Sequence, residues 1–177
     1  MFRSINSVTY PFTFSTSVAA GKPPDGDGPF YHNKVIDLVK SVISKLEESV
    51  DIRGRNLTTD RYYTSYELAE YLLEHKITLV GTLQKNRRGI PAEVKSTHGR
   101  EHFSYEVYWS RTNDNISMHS YVVKPKSSTM KNVLLLASMP PLLGRTTDDG
   151  QLKPAIYKFY DFTKDKLTCA LGCSISN

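Results

Sequence analysis

Apolar and polar positions alternate with two different periods along this chain, and the switches between them mark its elements. The opening alternation is loose and two-fold: Val8, Tyr10, Phe12 and Phe14 share one face of an extended segment, with Pro11 setting an edge or a break. Gly21-Lys22-Pro23-Pro24-Asp25-Gly26-Asp27-Gly28-Pro29 is dense in turn formers and reads as a loop. From Lys34 to Val50 the spacing changes to three and four. Val35, Leu38, Val39, Val42, Ile43 and Leu46 then line one stripe of a helix whose opposite face carries Lys40, Lys45 and Glu48.

Asn56-Leu57-Thr58-Thr59-Asp60 is short and β-prone, which predicts a buried strand presenting Asp60 at its carboxyl end. Thr64 followed by Glu67 has the spacing of a capping box, and Leu68, Ala69, Leu72 and Leu73 supply the stripe of the helix it opens. Ile77 to Leu83 is nearly continuous in apolar and β-branched residues and predicts a central strand. Asp60 therefore falls between a strand end and a helix start, where α/β folds gather their chemistry. Beyond it, Lys85-Asn86-Arg87-Arg88-Gly89-Ile90-Pro91 is a basic turn, and Phe103–Ser110 pairs with Ile116–Val123 as a hairpin across Thr112-Asn113-Asp114-Asn115. Val133–Ala137 adds a strand, and Pro154–Tyr160 reads as an aromatic strand or the lead-in to a helix. The pattern divides the chain into a mixed α/β part over residues 1–83, an antiparallel β-rich insertion over 84–155, and a return to the first part over 156–177.

Composition narrows the partners more than the fold. With 39% hydrophobic and 23% charged residues in 177, the chain is globular in balance and long enough for one domain with a real core. A formal charge of +5 and a pI near 9.1 favour a polyanionic partner. Lys85, Arg87 and Arg88 have the chemistry to cradle phosphates, as do Arg53 and Arg55, although a solvated turn accounts equally well for such a charge run.

Other function classes find little support. Cys169 and Cys173 are too few for a disulfide framework, lack further zinc ligands, and suit a reducing compartment. No run approaches the ~20 apolar residues that span a bilayer, and Met1 to Ala20 has no unbroken apolar core of a secretory signal. His98, His102 and His119 have no ligand spacing. Trp109, with Phe103, Tyr105 and Tyr108 nearby, reads as core packing ahead of base stacking.

Several blocks in order resemble the DDE-type transposase domain of the piggyBac family. They are Lys22-Pro23; Arg53-Gly54-Arg55-Asn56 leading to Asp60-Arg61-Tyr62-Tyr63-Thr64-Ser65; Leu79-Val80-Gly81-Thr82-Leu83 with Asn86-Arg87-Arg88 and Pro91; and Lys153-Pro154 before Tyr160 and Thr163-Lys164. The resemblance covers nearly the whole chain, and Arg55 to Pro91 is its specific part. It implies a ribonuclease H-like core, a mixed sheet with flanking helices, interrupted by a β-rich insertion domain. It also implies a nuclear protein of a family that cuts and joins DNA with two divalent cations, Mg2+ or Mn2+. Two such ions, about 3.5 to 4 Å apart, need several carboxylates to hold them.

On this resemblance Asp60 matches the second catalytic aspartate, a residual metal ligand. The first position carries Ser7, or Asn6 with a one-residue slip, and residues 1–24 hold no Asp or Glu at all. The third carries Thr168, with Asp165 three residues early. The resemblance thus leads to a transposase-derived protein that is catalytically inactive, takes no cofactor, and retains contact with DNA. Two rival readings stay open: a fragment of an active cut-and-paste transposase, and a protein-binding scaffold. The family's amino-terminal DNA-binding segments and cysteine-rich zinc module have no counterpart in these residues.

Overall fold

The computed structural model describes residues 2–6, 13–18, 35–123, 131–140, 142, 144–148 and 151–172, with side chains over 35–123, 131–140, 142, 144 and 152–164. The loop expected over residues 21–29 lies outside the described residues, as do Val8, Tyr10 and Phe12. The chain divides into two compact units, one of residues 1–53 and 162–177, the other of residues 54–161.

In the first unit, strands β1 (Phe2–Asn6) and β2 (Thr13–Val18) pair antiparallel, with a bulge between Ser4 and Asn6. Helix α1 (Val35–Glu47) lies against β2. Its buried stripe is Ile36, Ile43 and Leu46, so the apolar face is rotated slightly from the expected one: Ile36 joins it, while Val35, Leu38, Val39 and Val42 are half-buried.

The second unit is built on one five-stranded mixed sheet. Its strands are β3 (Asn56–Thr59), β4 (Thr78–Thr82), β5 (Tyr105–Trp109), β6 (Ser117–Val123) and β7 (Lys131–Ala137), in the order β3-β4-β7-β6-β5. β3 and β4 run parallel, and every other neighbouring pair is antiparallel. The expected hairpin forms with Tyr105 opposite Tyr121 and Trp109 opposite Ser117. β7 inserts between β4 and β6, so the β-rich segment after residue 84 continues the sheet that begins with β3. β4 is central and buried, as its apolar run dictates. β3 ends the sheet order and is half-buried up to Thr59, which corrects the expectation of a buried strand.

Helix α2 (Tyr66–Glu74) connects the parallel pair and buries Leu68, Ala69 and Leu72. Its N-cap is Ser65, whose hydroxyl accepts from the Leu68 N–H at 3.1 Å. The capping box expected from Thr64 does not form, because the Thr64 side chain is fully buried and bonded elsewhere. The helix stops with Ile77 N–H donating to Leu72 C=O at 2.8 Å and Lys76 N–H to Leu73 C=O at 2.9 Å. That pair of bonds is a Schellman stop, and it puts Lys76 at φ 59°, a position where glycine is usual. The short helix α3 (Ala92–Lys95) packs over β6 and β7, where its Val94 carbonyl accepts from Ser120 and Asn132.

Strands β8 (Arg145–Asp148) and β9 (Gln151–Pro154) form a separate hairpin, and helix α4 (Ala155–Gly172) follows directly. Pro154 thus closes a strand and precedes a helix start, which resolves the two readings left open for Pro154–Tyr160. Ile156, Tyr157 and Tyr160 of α4 pack with Val80, Tyr121, Leu135 and Ala137 into the core of the second unit. Trp109 is 49% exposed on the outer strand β5, contrary to its expected place in a core. Among the described residues no helix is long and apolar enough to cross a membrane.

Candidate functional site

Asp60 follows the last residue of β3, and its own backbone starts the turn that leads to α2. Its carbonyl accepts from Tyr63 N–H at 2.9 Å, Thr64 N–H at 3.1 Å and the Thr64 hydroxyl at 3.0 Å. With the backbone so fixed, the exposed carboxylate turns to the Arg61 N–H at 2.7 Å and to the Thr82 hydroxyl at 3.4 Å. The parallel register, Thr59 opposite Gly81, is what brings Thr82 at the end of β4 beside Asp60.

Thr82 links Asp60 to α4. Its Oγ1 lies 3.3 Å from the Tyr160 hydroxyl. Either hydroxyl of this pair can donate to the other. Burial pushes the phenol's pKa up, the bond to Thr82 opposes this, and the carboxylates of Asp60 and Asp161 add to the rise. Tyr160 therefore stays protonated and can serve as a donor. Asp161 itself is ion-paired with Lys153.

Sequence reasoning found Asp60 and missed the roles of Thr82 and Tyr160. Both stand within the blocks that carry the family resemblance, but nothing local marks their hydroxyls as partners of a residue so far along the chain.

Other predicted site residues fall in different places. Lys85, Arg87 and Arg88 occupy the turn after β4, at the same end of the parallel pair as Asp60, with the Arg87 N–H closing the turn on the Gln84 carbonyl at 3.0 Å. Lys85 and Arg88 are exposed; Arg87 is half-buried. Arg55 is exposed, and its carbonyl accepts from Thr78 N–H at 2.9 Å. Arg53 belongs to the first unit and makes a forked pair with Asp51, 2.9 and 2.8 Å, both side chains well exposed. Ser7 lies outside the described residues; Asn6 ends β1, and Asp165 and Thr168 fall on α4.

A two-metal centre makes a definite demand that these residues can be tested against. Among the described residues no three His, Cys, Asp or Glu side chains gather where a metal ion could be held. Among the described residues the side-chain partner of Asp60 is a neutral hydroxyl, backed by a second neutral hydroxyl. By themselves, one carboxylate and two hydroxyls do not fit a pair of divalent cations.

A mixed sheet with flanking helices, as seen here, is a ribonuclease H-like fold. The chain belongs to the transposase IS4 family, whose model matches residues 11–168. A solved structure that is similar is the cryo-EM structure of the piggyBac transposase synaptic complex with hairpin DNA, with a TM-score of 0.68 and 26% sequence identity. The match covers 93% of this chain and 32% of that one, so the chain spans about a third of the length of the transposase it resembles. No curated protein matches.

Proposed function

We propose that this chain is a transposase-derived domain that binds duplex DNA through the basic turn after β4 and does not cut it. The observation that carries the reading is the setting of Asp60. A residue matching a catalytic aspartate is held by the Thr82 hydroxyl, while the positions matching its two partners carry Ser7 and Thr168, neither able to supply the anionic oxygens a magnesium ion requires. Cleavage chemistry is therefore lost and the scaffold kept.

DNA contact is supported by three things that do not depend on catalysis: the excess of positive charge, the basic turn at the Asp60 end of the sheet, and the similarity to a transposase solved with hairpin DNA. A nuclear location accords with such a partner. The test is a salt titration of binding to a duplex oligonucleotide. Phosphate neutralisation releases counterions, so affinity falls steeply with salt, and changing Lys85, Arg87 and Arg88 to Ala flattens the log–log slope by about 2 to 3. Absent or salt-independent binding would overturn the DNA reading in favour of a protein partner.

A further inference from the structure

The antiparallel β4–β7 register sets Thr82 opposite Leu135, and the Leu83 N–H donates to the Leu134 carbonyl at 2.8 Å, one step beyond the strand. There the chain leaves β4 for the turn that carries Lys85, two residues past Leu83, while Lys131 begins β7 three residues before Leu134. Both side chains are exposed. Partial burial pulls the Lys85 ammonium below its ordinary pKa, and the charge of Lys131 lowers it further, so the two cations sense one another. Two residues beyond Lys85, the Arg87 Nη1 is buried without any hydrogen-bond partner. Like charges thus lie near one another at this end of the β4–β7 pair, and a guanidinium N–H is left without an acceptor. Each feature costs free energy that a bound anion would relieve.

We propose that Lys85, Arg87 and Lys131 form a single phosphate site across the β4–β7 junction, which takes one backbone phosphate of duplex DNA. The proposal rests on the DNA-binding reading and deepens it by adding Lys131, which no local pattern in the sequence marks. The two ammonium groups act as point charges on either side of the phosphate. Arg87, swung out of its unsatisfied position, supplies the planar fork that matches two phosphate oxygens.

The experiment uses the full chain with Lys85→Met and Lys131→Met, singly and together, since Met keeps the apolar stem and drops the charge. Duplex affinity is measured across salt concentrations, and the side-chain NMR signal of Lys85 is followed while inorganic phosphate is added. If the three residues share one phosphate, each single variant weakens duplex binding. The double variant then weakens it by less than the product of the two, and its salt slope falls by about 1. Inorganic phosphate shifts the Lys85 signal saturably in the unaltered chain and does not in Lys131→Met. Multiplicative losses with a slope change of about 2 would mean two separate phosphate contacts and overturn the shared site. Normal binding and slope in Lys131→Met would overturn it too while leaving DNA binding intact. A saturable phosphate shift without duplex binding would uphold the site and remove the DNA reading, and the absence of both would remove both.

Discussion

The Thr59 and Thr64 hydroxyls meet at 2.8 Å directly over Gly81, which is the register partner of Thr59 on β4. A Cβ at Gly81 would press into both hydroxyl oxygens and come within 2.9 Å of the Thr59 carbonyl. Because Thr64 also donates to the Asp60 carbonyl, this contact fixes the turn that presents Asp60. Gly81→Ala is expected to destabilise the fold by about 1 to 3 kcal/mol, the usual range for overpacking. Urea unfolding measures it, and a neutral result would show that the turn moves aside without cost.

Ser65, and not Thr64, caps α2. Ser65→Ala should therefore cost about 1 kcal/mol, as loss of an N-cap oxygen does. Thr64→Val should act through another route, taking the hydroxyl partner from Thr59 and one of three donors from the Asp60 carbonyl. The Thr64 variant should loosen the Asp60 turn, visible as faster amide exchange at Tyr63, while Ser65→Ala should loosen the first turn of α2, visible at Leu68.

At the other end of α2, Lys76 takes a left-handed conformation that costs an L-residue roughly 1 to 2 kcal/mol. Glycine at that position avoids the strain but loses more chain entropy on folding. Lys76→Gly should raise stability by about 0.5 to 1 kcal/mol in thermal or urea unfolding. A loss of stability would mean that the Lys76 stem packs usefully.

His119 is 2% exposed between the Tyr105 hydroxyl, 2.6 Å from Nδ1, and the Ser117 hydroxyl, 2.9 Å from Nε2. Burial lowers its pKa from 6.5 to about 4. Between those values the unfolded chain binds a proton that the folded chain does not. The stability His119 confers is therefore complete above pH 6.5 and falls as pH drops toward 4, by about 3 kcal/mol. Urea midpoints measured from pH 7 to pH 4 should decline accordingly, and His119→Gln should flatten that decline. An NMR titration of His119 centred near its ordinary value would refute the account.

Much of this fold is legible in the sequence because its periods are clean. The run around Val80 admits only a buried strand, and the alternation in Phe103–Ser110 and Ile116–Val123 brackets a turn of Asn and Asp. The strand-to-helix junction at Asp60 is legible for the same reason. What fails locally is decided by contacts far along the chain. Thr64 has the spacing of a cap but is drawn to Thr59 and Asp60, and Ser65 takes its place. The end of α2 carries no glycine, so Lys76 gives no warning of the stop. Trp109 has the composition of a core residue, and only the strand order leaves it on the outer strand. Thr82 and Tyr160 join Asp60 through strand register and helix packing, which no single window of sequence contains.

The proposed loss of DNA cleavage at Asp60 is tested most directly by a strand-cleavage assay on terminal-inverted-repeat DNA with Mg2+ or Mn2+, comparing the full chain with Asp60→Ala. The account predicts no metal-dependent nicking by either protein. Nicking that requires the metal and disappears in Asp60→Ala would contradict it.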